Sequence, residues 1–146
     1  MWRELATEAY AGARFKDPVL PAGLDEAERL LGESIPVELK GLLAETDGIV
    51  GQTSSDAVWS LERIVQGNLK FRQSSSFAEL YMPFDSFLFF GDNGGGDQFA
   101  FVLHPARADI FVWQHESDSR KWVANGLGDY LARRLREGGD DWYENY

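Results

Sequence analysis

An α+β domain is what this chain predicts, and three features predict it. Apolar residues at helical spacing occupy the first third. Alternating and continuous apolar segments, broken by a glycine-rich turn, occupy the third quarter. A last amphipathic stretch then precedes a pair of glycines. The expected order is helices, an antiparallel meander and a C-terminal helix, with the helices gathered on the sheet.

Positions 1–15 carry Trp2, Leu5, Ala6, Ala9 and Ala13 at helical spacing, so an amphipathic helix is expected there, within an N-terminal helical extension over 1–17. Pro18 and Pro21 mark an extended connector. A second helix is expected over Leu24–Leu31, with Leu24, Ala27, Leu30 and Leu31 as its inner stripe and Gly32 as its stop. Pro36 opens a third helix whose stripe is Leu39, Leu42 and Leu43 and whose end is Asp47-Gly48. These two form a pair that a downstream sheet must cover.

Ala57–Leu61 reads as a strand, and Ser60 then caps a short helical turn through Val65. Positions 67–80 are ambiguous, with Ser74, Ser75 and Ser76 suggesting an exposed connector. Phe87–Phe90 is continuously apolar, as in a strand buried on both faces. After it Phe99, Phe101 and Leu103 share one face, and Gln98, Ala100 and Val102 the other. The two make a β-hairpin at the centre of a sheet. His104–Ala108 is expected to turn, Asp109–Gln114 to form the next strand, and Lys121-Trp122-Val123 to pair at an edge. Asn125 is the expected N-cap of a last helix over Gly126–Glu137, with Leu127, Tyr130, Leu131 and Leu135 inward and Arg133, Arg134 and Arg136 favoured by the helix dipole. An acidic, aromatic tail, 138–146, is either frayed or docked through Trp142 and Tyr143. The 146 residues are expected to form one domain.

Composition narrows the function. The chain has no cysteine, which removes disulfides, thiol catalysis and zinc-thiolate sites. Its formal net charge of −10 opposes nucleic acid and anionic membrane surfaces and favours a basic protein partner. No apolar run reaches membrane-spanning length and the first residues are too charged for a secretory signal, so a cytoplasmic protein is expected.

The loop Gly91–Asp97 is the feature that invites chemistry. No Lys-Ser/Thr follows its last glycine, and its glycine spacing is not that of a dinucleotide loop, so phosphate binding is not expected. Asp92, Asn93 and Asp97 could serve calcium, but EF-hand spacing is absent. The preferred role is structural: Asp92 and Asn93 bond to nearby amides and fix the turn. His115 ends a strand and is placed to meet Asp92 or Asp97, an arrangement that would suit a metal or an acid–base pair if the loop were catalytic. Trp59 and Trp113 are candidate partner anchors, because Trp is enriched at binding hot spots, with core packing as the competing role. No catalytic residue, cofactor or metal is expected.

Four segments together carry a resemblance. They are LGESIPVELKGLLAETDG (31–48), VWSL (58–61), LFFGDNGGGDQFAF (88–101) and IFVWQHE (110–116). In this order the chain resembles the SUKH superfamily, in particular its Smi/Knr-type branch, from about Pro18 to Glu137. The resemblance implies an α+β domain without shared catalytic residues. Bacterial members of that family are immunity proteins that bind and neutralise toxins, often nucleases or deaminases. A fungal member is a hub of cell-wall signalling. By this analogy the chain is expected to bind a protein, foremost a basic toxin domain, through a surface that includes Trp59, Asp92, Asp97, Trp113 and His115. An intracellular scaffold or regulator is the alternative, and a metal-dependent enzyme built on Asp92, Asp97 and His115 the third.

Overall fold

A computed structural model describes residues 1–73, 86–138 and 142–143. The elements run α1 (Trp2–Ala9), β1 (Arg14–Phe15), α2 (Pro21–Leu31), α3 (Val37–Leu43), β2 (Ile49–Val50), β3 (Asp56–Val58), α4 (Leu61–Gln73), β4 (Phe87–Asp92), β5 (Gln98–Leu103), β6 (Ala106–Gln114), β7 (Ser119–Ala124) and α5 (Leu127–Glu137). The α+β class is as expected. The connector suggested by Ser74, Ser75 and Ser76, and the tail apart from Gly138, Trp142 and Tyr143, lie outside the described residues.

The meander is present as a four-stranded antiparallel sheet in the order β4-β5-β6-β7. The hairpin therefore sits at one side of it, with β4 outermost and β5 inside. A second, three-stranded sheet, β1-β2-β3, was not foreseen. Its strands are two or three residues long, too short for any alternation to register. The first helix accordingly ends at Ala9, not near residue 15, because Arg14 and Phe15 pair with Val50 and Ile49. The two sheets meet where the Trp59 N–H donates to the Phe90 carbonyl at 2.7 Å.

Both faces of the larger sheet are covered. On one, Phe90 and Phe99 are buried against Tyr130 of α5, with Phe99 and Tyr130 ring centroids 4.9 Å apart, and Phe101 packs on Phe90. On the other, Phe89 and Trp113 pack against Phe71 near the end of α4, at 5.2 and 5.6 Å. This is the doubly buried pattern that the apolar run 87–90 predicts. The tail docks: Trp142 stacks on Phe99 at 5.7 Å and Tyr143 meets the same ring edge-on.

Other elements depart from expectation for local reasons. The short turn after Ser60 is a 13-residue helix. It is capped as expected, since Ser60 Oγ accepts the Arg63 N–H at 3.3 Å. Gly67 belongs inside it: a Cβ there would come within 3.3 Å of the Trp59 ring, so the indole lies on the helix because a side chain is missing. Strand β6 begins at Ala106, so only His104 and Pro105 remain of the expected turn. The cap of α5 is Gly126, not Asn125. Asp129 reaches back instead and accepts the Asn125 N–H at 3.0 Å. Helix α2 does end at Gly32, with φ of 69°. Leu30 of its stripe stays largely exposed.

Candidate functional site

The loop between β4 and β5 is built by its own side chains. Asp92 Oδ1 accepts the Gly94 N–H at 2.9 Å, and Asn93 Oδ1 accepts those of Gly95 at 2.8 Å and Asp97 at 3.2 Å. Gly96 is required in particular. Its φ is +112°, and a Cβ there would sit 2.9 Å from the His115 ring. The structural role expected for Asp92 and Asn93 is therefore present bond by bond.

The carboxylate oxygens not used within the loop face two different ways. Asp92 Oδ2 accepts the Trp59 indole N–H at 2.9 Å and the Arg63 guanidinium at 2.7 Å. The second arm of Arg63 reaches Asp56 at 2.9 Å, and its guanidinium stands 4.4 Å over the Trp59 ring. Asp97 faces the other side. Its Oδ1 lies 2.6 Å from His115 Nδ1 and also accepts the His115 backbone N–H at 3.1 Å. Its Oδ2 accepts the Tyr143 hydroxyl, which in turn accepts from Asn93 Nδ2 at 3.0 Å.

Of the five residues singled out by sequence, the structure thus forms two groups, Trp59 with Asp92 and His115 with Asp97. Trp113 lies apart, its indole N–H on Asp118 at 2.7 Å. Trp59 and Trp113 are 2% and 5% exposed, so either would have to be uncovered to anchor a partner. The set of Asp92, Asp97 and His115 imagined for a metal does not converge, because Asp92 is turned to Arg63. Among the described residues, no three His, Asp or Glu side chains are grouped to hold a metal ion.

Three functional supports escaped the sequence reading. Asn68, on the inner side of α4, donates to the Phe89 carbonyl and accepts the Phe89 N–H, both at 2.8 Å, so its amide acts as a short extra strand beside β4. Arg134, read only as a helix-dipole partner, is 2% exposed and donates to Ser55 Oγ at 2.6 Å. Tyr130 donates its hydroxyl to the Ala57 carbonyl at 2.6 Å. Arg134 and Asn68 each lie four residues beyond a buried stripe member, Tyr130 and Ile64. Polar residues on an apolar stripe were the available signal.

Burial pushes the Tyr130 phenol above its ordinary value of 10.0, against a smaller opposing pull from Arg134. A raised folded-state value means that the contribution of neutral Tyr130 is complete below pH 10.0 and is lost as pH rises beyond it. In an alkaline titration, the phenolate absorbance difference between wild type and Tyr130→Phe should appear only together with unfolding. A difference that titrates near pH 10.0 with the fold intact would contradict this burial.

Among the described residues, no helix is long and apolar enough to cross a membrane. A protein-family model described as SUKH_6, SMI1-KNR4 cell-wall, matches residues 22–131. No curated protein matches the chain.

Proposed function

The chain belongs to the SMI1-KNR4 family, and on that premise we propose that it is a non-enzymatic protein-binding domain, an immunity protein that occludes a cognate toxin. The family match over 22–131, most of the chain, carries the reading. Charge supplies the chemistry of the partner. A net charge of −10 suits a basic toxin domain, such as a nuclease whose own nucleic-acid site is cationic. The loop geometry supports the same reading. The carboxylates of Asp92 and Asp97 are spent on Trp59, Arg63, His115 and Tyr143, which holds a shaped surface and brings no nucleophile to a base. The partner would meet the outward side of this loop, where Gly94, Gly95 and Gly96 are exposed and Asp92 and His115 are partly so, with Asp97, Trp59 and Trp113 buried behind.

Co-expression with a candidate basic toxin should restore growth, and the affinity of the pair should fall as salt rises, since the Debye length shrinks from about 10 Å at 0.1 M to about 3 Å at 1 M. Rescue with no salt dependence would remove the electrostatic part. A second reading is favoured by the family's own description, which names the cell wall: an intracellular scaffold or regulator. It predicts no rescue, and a changed sensitivity to cell-wall stress when the gene is deleted.

A further inference from the structure

The apolar stripe of α2 is only partly used by the fold. Ala27 and Leu31 are buried, but Leu30 is 46% exposed. Beside Leu30, α2 and α4 leave an open groove of about 530 Å³. Ala27, Leu61, Val65 and Leu69 line it, with Val19 and Leu30 alongside. Among the described residues its charge has one sign. Glu26, Asp47 and Glu62 stand in its lining, and no described Lys or Arg does. Arg29 answers Glu26 from the outer side. Asp47 and Glu62 meet uncharged donors, the Leu61 N–H at 2.7 Å and the Gln66 amide at 3.3 Å.

We propose that this groove docks an amphipathic helix of the partner, with apolar residues seated on Leu30, Val65 and Leu69 and Lys or Arg facing Glu62 and Asp47. A furrow between two helices accepts a third by the same ridge-into-groove packing that joins helices within a domain. The one-signed rim on a chain of net charge −10 selects a basic helix over an acidic one. Glu62 is the chain neighbour of Arg63, which binds Asp92, so α4 carries both a wall of the groove and a partner of the loop. The proposal rests on the reading of the chain as a binding protein, and does not require that the partner be a toxin.

The test uses the full chain, titrated with a Leu/Lys amphipathic peptide and with a Leu/Glu peptide of the same apolar pattern. Amide chemical shifts report the site. The Leu/Lys peptide should shift the amides of α2 and α4, and Leu30→Gln and Glu62→Lys should each weaken it by about tenfold. Equal binding of the two peptides, shifts that map elsewhere, or indifference to Leu30→Gln would overturn the proposal. So would a Leu30-dependent dimer of the free chain, or contacts from residues 74–85 to Leu30. Full growth rescue by Leu30→Gln would sink the groove and leave the immunity role. Absence of rescue by the wild-type chain, with the peptide result intact, would do the reverse.

Discussion

Gly91→Ala should destabilise the protein by roughly 3 kcal/mol or more, lowering Tm by about 10 °C. At Gly91 the two sheets approach each other closely. A Cβ placed there would lie 2.2 Å from the Ala57 carbonyl oxygen and 3.1 Å from the Tyr130 hydroxyl. The oxygen it meets is backbone, so no rotamer change relieves the clash. Strand β3 must move away from β4, which breaks the Trp59–Phe90 bond at 2.7 Å and the Tyr130–Ala57 bond at 2.6 Å. Trp59 and Arg63 follow β3, so the Asp92 contacts loosen with it. Thermal unfolding with circular dichroism checks this. A loss under about 1 kcal/mol would mean that β3 yields freely and that the sheets are not joined there.

Asn68→Ala should cost about 3 kcal/mol. Asn68 is 1% exposed, and its amide group makes three bonds, one to the Ile64 carbonyl at 2.7 Å and two to the Phe89 backbone. Phe89 faces Ala100 of β5 on one side, so Asn68 occupies the side of β4 that a further strand would take. Truncation removes all three bonds within the interior, where water is not a ready substitute. Asn68→Asp separates bonding from volume. It is nearly isosteric, keeps an acceptor for the Phe89 N–H, and turns the donor that faces two carbonyls into another oxygen. It should lose at least about 2 kcal/mol in urea unfolding at neutral pH. An Asn68→Asp variant as stable as wild type would show that the bridge from α4 to β4 is not held by this amide.

Periodicity made the larger elements legible. Leu127, Tyr130, Leu131 and Leu135 are all fully buried, as their spacing requires. Leu39, Leu42 and Leu43 behave likewise. The loop was legible for another reason, since Asp and Asn beside glycines bond locally and need no distant partner. What stayed hidden depends on distant partners. Ile49 pairs with both Phe15 and Val58, across gaps that no local pattern spans. Gly67 weakens a helical reading of α4, yet it is there to admit the Trp59 ring. Arg134 carries a charge that argues for solvent, and only the placement of Ser55 and the Asp92 carbonyl reveals why it is inside. Within the candidate site, the meeting of His115 with Asp97 could be foreseen from the strand end. The turning of Asp92 toward Arg63 could not, because Arg63 lies nearly thirty positions earlier in the chain.

The central claim is that this protein acts by occupying a partner and not by transforming it. The direct test is to titrate, with the purified chain, the nuclease or other activity of a toxin from which the chain rescues growth. Inhibition should be complete at one equivalent, and the toxin should regain full activity once the complex is dissociated and the two are separated. Inactivation by a small fraction of an equivalent, or a toxin left permanently altered after separation, would contradict the claim.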